Sequence, residues 1–158
     1  MITVRVKINA PISGVWMLWT TKSHIKAWNS ATRDWHTPKV KIDLIEEGYF
    51  RYRMAAKDGS ESFDFEGFFD IIDEPNQLSY TLTDGRKVDI TFKSESGVTA
   101  IVQRFQQESQ NSLEDQKKYW QAILDNFKNY AEDELDDDQD VDSKSSSFER
   151  FKNKEEYK

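Results

Sequence analysis

The chain has 158 residues, a net charge of −7, 13% aromatic residues and no cysteine. That length suits one domain with a tail, and the missing cysteines exclude a disulfide framework, a thiol nucleophile and a cysteine metal site. Residues 132–158 hold eleven Asp or Glu against five Lys or Arg, so the acidity belongs to the tail. The rest is nearly neutral and carries no electrostatic footprint for nucleic acid. The N-terminus MITVRVKINAP lacks the apolar run of a signal peptide, and no segment approaches the roughly 20 apolar residues of a membrane span. The expected compartment is the cytoplasm.

Ile2, Val4, Val6 and Ile8 alternate with polar residues and predict a half-buried strand. Pro11 opens a short amphipathic helix through Ile12, Val15, Trp16 and Trp19. A second short helix, capped by Thr20 or Thr21, runs to Trp28 with Ile25 and Trp28 turned inward. Residues 29–37 read as a loop despite Trp35, and 38–44 as a strand.

Tyr49 to Lys57 forms the next strand, with Phe50, Tyr52 and Met54 on one face and Arg51 and Arg53 on the other. Asp58-Gly59 is a strong hairpin signal. Across it, 62–72 predicts a strand with Phe63, Phe65, Gly67, Phe69 and Ile71 sharing a face. Gly67 in mid-strand indicates a bulge, a bend or a close approach. Leu78, Tyr80 and Leu82, then Val88, Ile90 and Phe92, flank a second Asp-Gly hairpin at Asp84-Gly85. The last strand, 98–107, places Thr99, Ile101, Gln103 and Phe105 together.

Residues 112–133 are the one long helix. Leu113, Gln116, Trp120, Ile123, Leu124, Phe127, Tyr130 and Ala131 form its inward stripe, and Lys117, Lys118, Asp125, Lys128 and Asn129 its wet face. Ser112 with Asp115 three positions on resembles a capping box. The predicted class is therefore α+β: a curved antiparallel sheet of six to seven strands wrapped round the C-terminal helix, with two short helices after strand 1. The domain is expected over 1–133. Residues 134–158, acidic and Ser-rich, are expected to be a disordered tail. Their Asp run lacks the turn glycine and closing glutamate of a calcium loop and reads as a solvated linker.

Trp28, Phe50, Tyr52, Phe65, Phe69, Tyr80, Phe92, Phe105 and Trp120 face inward in this scheme. They either fill a core or line a ligand cavity, for which an apolar wall with a few placed polar groups is the usual chemistry. Gln116 is the polar residue hardest to explain as core. Arg53 and Asp64 come close across the sheet on the opposite face. They read as a cross-strand ion pair or, if Gly67 shifts the register, as a charged ligand anchor with Glu66 as a second candidate. The candidate ligand-binding set is Trp28, Phe50, Tyr52, Arg53, Phe65, Phe69, Tyr80, Phe92, Gln116 and Trp120. His24 and His36 lack partners at metal-ligand spacing, and no nucleophile-elbow string occurs. No catalytic residue, metal or cofactor is therefore assigned, and an enzyme is the less favoured reading.

Several strings together resemble one family. They include Val15-Trp16 with Trp19-Thr20, His24-Ile25 with Trp28, Asp34-Trp35, and Gly48 with Phe50 and Arg53-Met54. Further along are Ala56-Lys57-Asp58-Gly59-Ser60, Phe63-Asp64-Phe65 with Gly67, Asp84-Gly85-Arg86 with Val88, Phe105 with Glu108, Asn111, and residues 120–127. They are similar to the START-like superfamily with the helix-grip fold, in the branch named for the activator of Hsp90 ATPase homologues. The resemblance covers residues 1 to about 132. It implies the helix-grip fold and the binding of an apolar or aromatic small molecule, lipid-like ones included, between sheet and helix. The alternative it implies is a surface interaction with a chaperone. Eukaryotic relatives that stimulate Hsp90 carry an additional N-terminal domain.

Overall fold

The structure is a computed structural model, and it describes residues 1–136. The expected disordered tail and its acidic run fall almost wholly outside the described residues.

Seven strands form one antiparallel sheet in the order β1-β7-β6-β5-β4-β3-β2. They are β1 (Ile2–Ile8), β2 (Trp35–Ile42), β3 (Tyr49–Ala56), β4 (Ser62–Asp73), β5 (Gln77–Leu82), β6 (Lys87–Glu95) and β7 (Val98–Phe105). Two short helices, α1 (Ile12–Thr20) and α2 (Lys22–Trp28), link β1 to β2, and α3 (Leu113–Leu135) closes the chain. All neighbours from β2 to β7 are consecutive hairpin partners. Only β1 joins from a distance, pairing with β7 from Ile2 opposite Phe105 to Ile8 opposite Thr99. The turn glycines at 59, 85 and 97 take φ of 82°, 95° and 83°, the left-handed region that hairpin turns require.

Two departures from the sequence pattern, at Trp35 and Ile71, have local causes. Trp35, expected in a loop, starts β2 opposite Ala56, and its ring packs 5.8 Å from that of Phe63. The strand reaches it through a register irregularity between His36 and Lys39, which breaks the alternation. Of the alternatives at Gly67, the close approach holds and the bulge does not. Gly67 pairs regularly with Phe50 and Leu82, and it is glycine because a Cβ there would lie 2.3 Å from the Thr81 carbonyl oxygen. The register shift comes three residues later, between Phe69 and Ile71. It turns Ile71 outward and puts Ile72 against the core, so Ile71 leaves the face assigned to it.

Helix α3 starts as its sequence indicates: the Asp115 backbone N–H donates to Ser112 Oγ at 3.0 Å. Thr21, in contrast, makes no side-chain cap for α2. Its hydroxyl donates back to the Met17 carbonyl at 2.6 Å. Leu113 is 53% exposed and drops out of the apolar stripe, while Leu124, Phe127 and Ala131 are fully buried. The helix also runs two residues past the expected domain boundary, and the Leu135 side chain lies against Gly14 of α1.

α3 is fastened along the sheet edge and not over its middle. Gln121 Nε2 donates to the Arg5 carbonyl (3.0 Å), and Lys128 Nζ to the Lys7 carbonyl (2.8 Å) and Glu132 Oε2 (2.6 Å). Glu132 accepts the Asn9 backbone N–H at 2.8 Å. Lys128, assigned to the wet face, thus ties the helix to β1. Asn126 Nδ2 holds the C-terminus of α2 by donating to the Trp28 carbonyl at 2.7 Å. A helix gripped at one edge and at its end leaves space above β3, β4 and β5.

Gly67→Ala should destabilise the fold by roughly 1–3 kcal/mol, because the obstacle is backbone on a paired strand and cannot swing aside. Chemical denaturation of the two proteins, with m-values compared, measures this.

Candidate functional site

Between α3 and the sheet lies a cavity of about 620 Å³. Its floor comes from Tyr52 and Met54 of β3, Phe65 of β4, Leu78 and Tyr80 of β5 and Gln103 of β7. Trp120 and Ile123 of α3 form the roof, and Trp19 and Trp28 close one end. The opening is rimmed by Phe63 and Tyr119, which stay 43% and 41% exposed. Charged groups cluster there too: Glu61, Arg86, Glu108 and Asp115.

Large rings hold the cavity's shape. Trp120 stacks on Phe105 with centroids 3.9 Å apart and an interplanar angle of 11°, and meets Phe65 edge-on at 5.8 Å. Trp19, Trp28 and Phe127 form a triangle with centroids 4.7–4.8 Å apart. The Trp28 Nε1–H donates to the Leu18 carbonyl at 2.9 Å, which fixes the ring plane.

Six of the ten candidate residues line this space: Trp28, Tyr52, Phe65, Tyr80, Gln116 and Trp120. Phe50, Phe69 and Phe92 do not. Phe50 is closed in by the rings of Tyr52, Phe69 and Tyr80 at 5.3, 5.0 and 4.9 Å, and Phe92 is covered edge-on by Trp16 and Trp19. They are core beside the wall. Phe105, under Trp120, is likewise fully buried.

Arg53 stands on the outer face. It pairs in register with Asp64, Nε lying 2.9 Å from Oδ1, and does not reach the cavity. The line of approach is poor for a hydrogen bond, and Asp64 Oδ1 accepts none. The contact is a cross-strand ion pair of about 1 kcal/mol or less, not an anchor inside the cavity. Glu66 is engaged on the same face by the Tyr49 hydroxyl.

Gln116 lines the cavity, but its polar atoms are committed to a loop. Its Oε1 accepts the Glu108 N–H (2.9 Å), and its Nε2 donates to the carbonyls of Glu108 (3.0 Å) and Asn111 (2.8 Å). Glu108 in turn accepts the backbone N–H of Gln110 (2.5 Å) and of Asn111 (2.8 Å). The hydrogen bond from the Asn111 backbone leads the interactions that hold the Glu108 carboxyl below its ordinary range. This knot fastens the β7–α3 connection over the cavity mouth.

Tyr52 and Tyr80, both in the candidate set, bring phenols to the cavity, and Gln103 and Arg86 join them there. Burial pushes the Tyr52 phenol far up, and it does the same to Tyr80, where Tyr52 adds to the effect. The Gln103 amide and the Arg86 guanidinium, both close by, partly oppose the shift at Tyr80. Both phenols remain protonated donors at any physiological pH. Arg86 also lies 2.9 Å from Asp84 through its Nε. Gln103 and Arg86 were missed as lining residues. Gln103 was legible as the polar member of an inward stripe, whereas Arg86 follows a turn and carries no periodic signal. His24, which does not line the cavity, sits 2.5 Å from the Tyr130 hydroxyl through Nδ1 and helps dock α2 on α3.

Fold and cavity together define a START-like helix-grip protein, a class whose members commonly bind hydrophobic ligands in such a cavity. The chain belongs to the Activator of Hsp90 ATPase homolog 1-like family, whose model matches residues 9–132. The solution structure of an AHSA1-like protein from Aeromonas hydrophila is 42% identical, covers 82% of this chain and 92% of its own, and superposes with a TM-score of 0.77. Chr148 from Cytophaga hutchinsonii is 44% identical over 85% of this chain and 94% of its own, with a TM-score of 0.74. NE0264 from Nitrosomonas europaea shares the fold at 16% identity, covering 84% and 96%, with a TM-score of 0.68. No curated protein matches the chain. Among the described residues, no helix is long and apolar enough to cross a membrane.

Two outcomes test the mouth. Gln116→Ala strips three hydrogen bonds from half-buried loop backbone and should cost about 2 kcal/mol, read by urea denaturation. Glu108, whose folded pKa is depressed, contributes stability above its unfolded pKa of about 4.3 and loses it as pH falls through the lower folded value. Stability of the native protein should therefore fall more steeply below pH about 4.3 than that of Glu108→Gln. Urea midpoints between neutral and acid pH compare the two slopes.

Proposed function

We propose that the protein binds an apolar, aromatic small molecule, lipid-like ones included, in the space between β3–β5 and α3. The observation that carries this is the cavity itself: about 620 Å³ walled by Trp28, Tyr52, Phe65, Tyr80 and Trp120 at ring-contact distances. That volume is within the range of small-molecule sites, and flat rings offer large contact area with few side-chain rotors to freeze. An isolated core would close such a space, since unfilled volume costs stability at about 24 cal/mol per Å³. No cofactor or metal chemistry enters the proposal.

Naphthalene is a suitable probe. Saturating it should raise the thermal midpoint by several degrees, as expected for a ligand that binds only the folded state. Trp120→Ala should abolish the shift, and Phe68→Ala, on the outer sheet face, should leave it intact. A shift that survives Trp120→Ala, or that vanishes with Phe68→Ala, would remove the cavity as the site.

A second reading, a protein partner of the chaperone kind, is supported by the family's description and by one surface feature. Phe68 and Ile71 are exposed on the outer side of the sheet and Ile45 in the β2–β3 connection, with the Tyr49 ring 5.4 Å from that of Phe68. Association with purified Hsp90 that is lost in a Phe68→Ser, Ile71→Ser variant would favour it over the cavity. Absence of association in the native protein would remove it.

A further inference from the structure

The cavity is apolar in bulk, yet its floor holds two phenol groups: Tyr80, beside whose oxygen the Gln103 amide lies as a hydrogen-bond donor, and Tyr52, which has no such neighbour. Tyr52 is only 9% exposed and Tyr80 only 6%. Among the described residues, no protein acceptor lies in hydrogen-bond geometry for either hydroxyl proton, since Gln103 acts on Tyr80 as donor. Nor are the hydroxyls sealed off: among the described residues, the one buried side-chain polar atom without a partner is Asp64 Oδ1, on the opposite sheet face. Both oxygens therefore keep surface that opens on the cavity they line. Buried hydroxyls are normally satisfied, and leaving one without an acceptor costs stability. Two such donors on neighbouring walls of one space form an arrangement that a ligand completes.

The surrounding groups narrow the ligand's chemistry. Gln116 has spent both ends of its amide on the loop, and Glu108 has spent both carboxylate oxygens on Gln110 and Asn111. These two add no free donor. Arg86 sits near Tyr80 and adds positive potential, with its Nε held by Asp84. With the Gln103 amide directed as donor at the Tyr80 oxygen, the two hydroxyl protons remain as donors on the floor, and their complement is an acceptor oxygen. That oxygen is better neutral than charged. Arg86 is one cation among Glu61, Glu108 and Asp115 at the rim, and a carboxylate would pass three acids to shed its water inside an apolar space.

We infer that the ligand class is aromatic carbonyl compounds, whose neutral C=O oxygen accepts from the Tyr52 and Tyr80 hydroxyls while the rings lie against Trp120 and Phe65. This deepens the cavity reading and rests on it. The paired phenols set ligand identity; the ring walls set ligand size. No bond is made or broken, so the role is selective binding.

The test uses three probes of equal size on the full chain: 2-acetonaphthone, its alkene isostere 2-isopropenylnaphthalene, and 2-naphthoate. Affinities are measured by quenching of tryptophan fluorescence. The ketone should bind about tenfold tighter than the alkene, the worth of a buried hydrogen bond matched against one left unmade. Tyr80→Phe and Tyr52→Phe, which keep the rings, should bring that ratio close to one. The infrared carbonyl stretch of bound 2-acetonaphthone should lie at lower frequency in the native protein than in the Tyr80→Phe variant, a signature that ring packing alone does not produce. Equal affinity for ketone and alkene in the native protein would overturn the inference and leave the cavity reading standing. Naphthoate binding more tightly than the ketone would also overturn it, replacing a neutral acceptor by an anionic one. Binding of neither neutral probe would sink the cavity reading and this inference with it.

Discussion

The face-to-face contact between Trp120 and Phe105 sets the architecture. With centroids 3.9 Å apart and planes within 11°, it places a helix ring flat on a sheet ring. Such a pair adds roughly 0.5–1.5 kcal/mol beyond the area it buries, and it fixes a spacing as well as an attraction. At β7, two stacked rings separate helix from sheet. Farther across, at β3 to β5, the sheet departs from the helix and only Phe65 reaches up to Trp120. The remaining volume is the cavity. The backbone anchors from Gln121, Lys128 and Glu132 all lie on the β1 side, so nothing polar draws α3 down over the middle of the sheet.

The same constraint accounts for how work is divided among the aromatics. Those close to the helix anchor, Phe92, Phe105 and Phe127, are buried to the limit and act as core. Those on β3, β4 and β5 share one face of the sheet and split by position on it. Phe50 and Phe69 pack on each other as core, and Tyr52, Phe65 and Tyr80 beside them line the cavity. The lining contains the phenols and the neighbouring core does not. A chain with two tyrosines on the cavity floor and phenylalanines beside them has put its hydrogen-bonding capacity where a ligand, and not the core, can use it.

Much of this was readable from the chain. Period-two alternation located β1 and β3 to β7, the Asp-Gly pairs located two hairpins, and the helical stripe of 112–133 located α3 with its Ser112 cap. The illegible parts share a cause: they depend on which neighbour a residue meets after folding. The register shift between Phe69 and Ile71 has no residue signature, so Ile71 was placed inside. Trp35 reads as loop because its irregular strand start hides the alternation. Tyr52 and Phe50 share a face two residues apart, and only the curvature of the sheet decides which of them meets the cavity. Gln116 was correctly singled out as an anomalous inward polar group, but sequence could not show that its partners are the backbone of Glu108 and Asn111. Arg53 was placed correctly on the outer face; as a cavity residue it fails because the register it needed to shift is regular at Gly67.

The central claim is that a small apolar molecule enters between α3 and the sheet and rests on β3–β5. Intermolecular nuclear Overhauser effects between protein methyl groups and bound naphthalene test it most directly. The account predicts contacts to Met54, Leu78 and Ile123, which line the space from three elements, with none to Ile45 or Ile71 on the outside. Contacts confined to Ile45 and Ile71, with Met54, Leu78 and Ile123 silent, would contradict it.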